Sequence, residues 1–402
     1  MIQDLDSILE RRGLDAVVVL GDSTSGNPEL LYVAGCRLPR GGVYVKRRGC
    51  SPILVVSSLD LGSASGGRVG DVRCYSDYDY EKILASNPRG AYLLLIEKIL
   101  RDAGVEGRVV VYGRLSASRV VELTDRLRLL GFKVVGESPP TALEEAMEVK
   151  DDLEVESLRR VGSKAERVIS KTIDLLRGCR VRDGLLIYRG EVLTVGLVKA
   201  FVRGLMAEEG LQPIEDFIFS VGPNSADPHY TGGSMDKVRA GEPIVFDLYP
   251  QDASGYCFDC TRTLVVGEPS KEVAKMHEVV LEAQSLAFDL MKAGVKAKAV
   301  AESVYDLVER RGFKTVRSVV KGDAEARRVG FIHSLGHGVG LTIGERPYLS
   351  IYSDDILKAG HVVTVEPGLY DPKVGGVRVE DVVVVRENGP LNLSGLPKDP
   401  KI

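Results

Sequence analysis

Short β-branched runs bounded by turn formers open the chain. Val17-Val18-Val19-Leu20, Gly42-Val43-Tyr44-Val45 and Ile53-Leu54-Val55-Val56 lie between Gly, Asp and Ser, which reads as three strands. The periodicity then predicts a helix over 92–103, a strand at Val109-Val110-Val111-Tyr112 and a helix over 117–130. Residues 57–71, rich in Gly and Ser, read as a loop. The Gly21–Gly26 stretch looks like a phosphate loop but lacks the following Lys, so it reads as a plain turn. Strands alternating with helices predict a largely parallel or mixed sheet covered by helices.

Ser138-Pro139-Pro140 is the best boundary signal and divides the chain into domains 1–140 and 141–402. Beyond it, 151–176 predicts a long amphipathic helix, with Leu158, Val161, Ala165, Val168, Ile169, Ile173 and Leu176 on one face. Further helices are predicted over 270–292 and 297–311. Two strand-rich blocks, 241–267 and 360–386, resemble each other. Each begins with a Gly six residues before an acid, Gly241 before Asp247 and Gly360 before Glu366. Each turns and returns through a second apolar strand carrying a second acid, Asp259 or Glu380. This reads as two β-hairpins related by an internal repeat.

Composition adds bounds. The chain has 402 residues, enough for two or three domains. Lys+Arg is 53 against 57 Asp+Glu, so a protein that grips nucleic acid or anionic membrane is not expected. No apolar run approaches the ~18 residues of a membrane span. The opening Met1-Ile2-Gln3-Asp4 lacks the basic-then-apolar layout of a secretory signal, so the expected location is the cytoplasm. Six scattered cysteines are no disulfide scaffold. Cys257 and Cys260 form a C-x-x-C that could mean redox or zinc chemistry. On a strand, however, residues i and i+3 face opposite ways, which predicts two buried structural thiols.

The same period sorts the acids. Asp247 shares a face with Val245 and Tyr249, Asp259 with Thr261 and Thr263, Glu366 with Thr364, and Glu380 with Arg378. Carboxylates in Val- and Ile-rich strands are costly to bury unless paired or metal-bound. His229, His333 and His337 lie in Gly- or Pro-marked segments, whereas His277 and His361 read as structural. Four carboxylates with an imidazole suit manganese, cobalt or zinc. They exceed the needs of one ion, so two ions ~3.5–4 Å apart, as in two-metal hydrolytic sites, fit better.

These motifs resemble the pita-bread metallopeptidases, in the Xaa-Pro dipeptidase (prolidase) and aminopeptidase P branch. The resemblance is carried by Asp259-Cys-Thr-Arg-Thr263, Ser334-Leu-Gly-His-Gly-Val-Gly-Leu341, Val365-Glu-Pro-Gly-Leu-Tyr370 and Val377-Arg-Val-Glu-Asp381. It implies an α/β creatinase-like amino-terminal domain followed by a pita-bread catalytic domain with pseudo-two-fold symmetry. It implies two divalent metal ions, with Asp247 on one, Asp259 and Glu380 bridging, and His337 and Glu366 completing the other. Glu366 would also be the general base for a bridging water. His229 and His333 would be catalytic and would face the substrate together with Tyr370 and Arg378, and Arg378 would also orient Glu380 and Asp247. The implied substrate is a proline-containing dipeptide or short peptide, and the implied assembly is a homodimer.

Two departures from the family pattern stand out. The hairpin between Asp247 and Asp259 is one residue longer than in many relatives, within its turn. Gly344-Glu345-Arg346-Pro347 stands where the family carries His-Glu-x-Pro. Loss of such a donor to a tetrahedral intermediate typically costs ~10²–10³ in rate. The leading expectation is therefore a metallopeptidase cleaving Xaa-Pro bonds. The alternatives are a related amide hydrolase with a non-peptide substrate, a homologue weakened by Gly344, or a non-catalytic binding protein. The last would have lost metal ligands, and this chain keeps them.

Overall fold

The computed structural model describes residues 5–402. The chain divides into two compact units, one ending at Met147 and the other spanning Glu148–Ile402. Ser138-Pro139-Pro140 lies inside the first.

The first unit is built on a six-stranded sheet. Ala16–Gly21 runs antiparallel to Gly42–Arg47 and parallel to Arg108–Tyr112, so the sheet is mixed. Val18, Val43, Val45 and Val55 form its core with Leu95, Ile96, Ile99, Leu123 and Leu127 of the helices Ala91–Asp102 and Ala117–Leu129. Residues 57–71 are more ordered than a plain loop. Ser57 caps a 3-10 turn at Ser58–Asp60, a helical turn follows at Leu61–Ala64, and Asp71–Cys74 adds an edge strand parallel to Ile53–Val56. Ser57 and Asp71 are the structural cues there, and both are also ordinary loop formers.

In the second unit, the helix Asp152–Arg177 starts at a capping box. The Asp151 carboxylate accepts the Leu153 and Glu154 amides at 3.0 Å each, and Glu154 accepts the Asp151 amide at 3.0 Å. Its apolar face and that of Val195–Glu208 share a core with Phe219, Ile244, Phe246 and Leu264. The helices Lys271–Leu290 and Ala297–Arg310 share a second core with Val363, Val365, Val383 and Val385. Alternate residues of Val362–Val365 and Asp381–Val384 point opposite ways, so Val362, Val382 and Val384 join the first core instead. The central sheet is thus covered on both faces.

The two predicted hairpins differ. In the first, Ile244–Leu248 pairs antiparallel with Cys260–Leu264, setting Asp247 opposite Thr261. The second is interrupted. Val362–Val365 pairs with Asp381–Val384, while Gly368–Asp371 pairs with Gly375–Arg378. Glu366 and Glu380 sit at the breaks, which corrects their placement within continuous strands. Pro367 supplies no N–H for a ladder. The Glu366 amide donates to the Leu335 carbonyl at 2.9 Å and the Glu380 amide to the Thr261 carbonyl at 3.1 Å. Asp259 likewise precedes its strand. The halves are joined by Thr263, whose hydroxyl donates to the Arg378 carbonyl and accepts the Arg378 amide, both at 2.9 Å. Cys257 and Cys260 are buried thiols. No helix among the described residues is long and apolar enough to cross a membrane.

Candidate metal centre and active-site cavity

The strand breaks turn carboxylates from both halves toward one cavity of about 630 Å³, whose lining includes Asp247, Asp259, His337, Glu366 and Glu380. Ligand atoms of Asp259, His337 and Glu380 lie within 4.8 Å of one another. His337 Nε2 is 3.4 Å from Glu366 Oε1 and 3.7 Å from Asp259 Oδ2. All five residues that the sequence nominated as ligands are therefore brought together.

Threonines fix this array. Thr261 donates to Glu380 Oε2 at 2.7 Å. Thr364 donates to Glu366 Oε1 at 3.1 Å and accepts the His337 amide at 3.0 Å. These hydroxyls share strand faces with the acids, a signal the sequence carried, yet their positioning role was missed. Arg378 reaches Asp247 Oδ2 and the Tyr370 hydroxyl, both at 2.7 Å, and Thr261 Oγ1 at 3.2 Å. It does not hydrogen-bond Glu380; its link there runs through Thr261. Tyr370 is buried, with its hydroxyl bonded to Arg378 and His333, and is not among the residues lining the cavity.

Hydrogen bonds define the His333 side of the cavity. Nδ1 lies 2.8 Å from the Ser334 carbonyl and Nε2 2.9 Å from the Tyr370 hydroxyl. Arg378 can only donate to the Tyr370 oxygen, so the Tyr370 proton goes to Nε2, and Nδ1–H donates to Ser334. Burial, reinforced by the Arg378 charge, lowers the His333 pKa to about 3 and keeps the ring neutral. His229 is exposed and lines the same cavity. Tyr249, which the strand period put on the face of Asp247, lines it as well, and so do Glu215, Thr231 and Ile343, which sequence patterning did not single out. Gly344 does not line it. It has a φ of +80°, and its amide nitrogen lies 3.2 Å from His337 Nδ1. His277 and His361 lie buried elsewhere.

The electrostatics fit divalent cations. Asp247 Oδ1 and Asp259 Oδ1 are buried with no hydrogen-bond partner. Burial, then Glu380, Asp247 and Glu366, drives the Asp259 pKa well up. Burial, then Glu366 and Asp247, does the same to Glu380. Burial, aided by Asp247 and opposed by Arg378 and Thr364, raises Glu366 to about 7. Without cations, such acids hold protons rather than sit charged side by side. Orphaned carboxylate oxygens beside an imidazole form a donor set suited to divalent cations.

Residues 156–387 match the model of metallopeptidase family M24. The chain is 30% identical over 396 residues to the Xaa-Pro dipeptidase of Pyrococcus furiosus, covering 98% of this chain and 97% of that protein. The prolidase structure from Pyrococcus horikoshii OT3 aligns over 99% of both chains, with a TM-score of 0.74 and 25% identity. The X-Pro aminopeptidase structure from Thermotoga maritima aligns with a TM-score of 0.77 and 26% identity, over 98% of this chain and 99% of that one. The fold is accordingly an α/β amino-terminal domain followed by a pita-bread domain.

Proposed function

The chain belongs to metallopeptidase family M24 and is a metal-dependent peptidase, and from that premise we propose that it hydrolyses Xaa-Pro amide bonds at a dinuclear site. Asp247, Asp259, His337, Glu366 and Glu380 would hold the two ions. Bound there, the ions supply charge neutralisation and Lewis acidity for amide hydrolysis. The observation that carries the reading is the pair of buried, unpartnered oxygens on Asp247 and Asp259 beside His337 Nε2. The relatives named Xaa-Pro dipeptidase, prolidase and X-Pro aminopeptidase support the substrate class.

The residues divide the work by geometry. Glu366, which lines the cavity beside His337, takes the proton of the attacking water and returns it to the leaving proline nitrogen. The exposed His229 donates to the substrate carbonyl oxygen as negative charge develops there. Neutral His333, locked by Tyr370 and Ser334, forms a fixed wall for the apolar proline ring. Arg378 holds Asp247 directly and Glu380 through Thr261.

A hydrolase of non-peptide amides is the second reading. One observation favours it: at the position where the resemblance places a histidine, Gly344 offers no side chain, and its neighbour Ile343 presents an apolar one to the cavity. Protein reconstituted with manganese, then with cobalt and zinc, should be assayed on an Xaa-Pro dipeptide and on an Xaa-Pro tripeptide. Release of the first residue from either supports the proposal, and the ratio separates dipeptidase from aminopeptidase. No release from either, with two ions bound per chain, overturns it in favour of the second reading.

A further inference from the structure

A buried ion pair outside the cavity connects to the metal-centre histidine through the backbone. Lys150, just before the helix Asp152–Arg177, has a side chain only 2% exposed and pairs with Glu345, 14% exposed. Its ammonium also donates to the Glu148 carbonyl at 3.2 Å. The second Glu345 oxygen accepts the Thr342 hydroxyl at 3.1 Å. The carboxylate packs over Gly340, where a Cβ would come within 2.5 Å of Glu345 Oε1.

Glu345 follows an irregularity in strand pairing. Gly338 stands opposite Glu345 and Val339 opposite Ile343, so Gly344 is an extra residue, a β-bulge. Its left-handed φ of +80° is one that glycine adopts without strain. His337 Nδ1–H donates to the Gly338 carbonyl at 3.1 Å, and Gly338 is the residue that pairs with Glu345 beside the bulge, where the Gly344 amide nitrogen packs 3.2 Å from the same ring nitrogen. The Tyr348 hydroxyl donates to the Gly344 carbonyl at 2.8 Å and closes the loop. The Gly338 carbonyl thus takes the Nδ1 proton and leaves the Nε2 lone pair facing Glu366 and Asp259.

We infer that Lys150 and Glu345 are positioning residues for His337: the pair locks the bulge that orients the metal-binding imidazole. A buried ion pair adds little net stability over an apolar pair of similar volume, so a role in holding one geometry accounts for it better than stability does. The inference rests on the reading of His337 as a ligand. Groups that orient a ligating histidine typically contribute 10–100-fold to metal affinity.

The test uses metal-free full-length protein titrated with Mn²⁺ by calorimetry and with Co²⁺ by visible absorption. K150M/E345M replaces the pair with apolar side chains, and E345Q keeps the size of Glu345 while removing its charge. H337A sets the full loss. Both pair variants should keep a cooperative thermal transition, bind Mn²⁺ about 10–100-fold more weakly, and shift the Co²⁺ ligand-field bands. If K150M/E345M does not fold, E345Q decides. Wild-type affinity with an unchanged Co²⁺ spectrum overturns the inference, as does an H337A loss smaller than that of the pair variants. These readouts need no substrate. A wild-type protein that binds metal but cleaves no Xaa-Pro bond would overturn the substrate reading, while the affinities would still decide this one.

Discussion

Arg378 Nη2 donates to Asp247 Oδ2 at 2.7 Å, between side chains only 4% and 11% exposed. Burial works against the guanidinium charge, but Tyr370, Asp247 and Glu380 outweigh it and raise the Arg378 pKa. A lysine cannot reproduce three directed contacts from one planar fork. R378K should therefore lower kcat/KM by about 10–100-fold, with a matching loss of Mn²⁺ affinity. R378M should also destabilise the fold by about 3–5 kcal/mol, because it leaves Asp247 buried and unpaired. Steady-state kinetics and urea unfolding check the two effects separately.

Thr364 bonds both the His337 amide and Glu366 Oε1. T364V keeps the shape and removes both bonds. Metal affinity measured by calorimetry should fall about 10–100-fold. Wild-type affinity in T364V would mean that the hydroxyl does not organise the site.

The metal-free protein should be destabilised by alkali. Glu366 has a folded pKa raised from 4.5 to about 7, and Asp259 and Glu380 shift in the same direction. A raised folded pKa gives stability that is complete below about 4.5 and lost as pH climbs through about 7. With chelator present, the Tm should drop between pH 5 and pH 8, and metal affinity should rise over the same window as protons leave the ligands. Saturating Mn²⁺ should flatten the profile. A Tm independent of pH in chelator contradicts this electrostatic picture.

Glu148 should act with the opposite sign. Burial would raise its pKa, but His361 and Lys358 prevail and bring it down to about 2. Its stabilising contribution is present above 4.5 and lost as pH falls toward 2. E148Q should cost about 1.5–3 kcal/mol at pH 7 and nothing near pH 2. Urea unfolding at the two pH values measures the difference.

Gly344 sits at φ +80° with nothing within 4 Å of a built Cβ, so a side chain there meets strain rather than a clash. G344A should lose about 1–2 kcal/mol. G344H should carry the same strain, and it can add an imidazole to the cavity only if the bulge reshapes. A G344A protein as stable as wild type would show that the bulge adjusts freely.

Much of the site was legible because strand period two and Gly-to-acid offsets are local signals. Asp247, Asp259, Glu366 and Glu380 were found that way. Their exact seats were not, because Glu366 and Glu380 leave their strands at breaks stabilised by long-range bonds, to Leu335 and Thr261. The seat of Tyr370 was not legible either, because motif proximity does not tell which way a side chain points; its hydroxyl bonds Arg378 and His333. His361 read as structural, and its partner Glu148, 3.7 Å away, was not legible because it lies 213 residues earlier in the chain. Lys150 and Glu345 escaped notice for the same reason. The short strand Asp71–Cys74 starts where the Gly- and Ser-rich stretch ends, and only its pairing with Ile53–Val56 marks it as a strand.

The most direct test is hydrolysis of an Xaa-Pro dipeptide by chelator-treated protein before and after Mn²⁺ is restored, with E366Q alongside wild type. Wild type should be inactive in chelator and recover with metal, while E366Q, folded and metal-loaded, should lose at least ~10²-fold in kcat, as expected when a general base is removed. Cleavage that survives the chelator, or an E366Q variant as fast as wild type, would contradict a metallopeptidase mechanism centred on these residues.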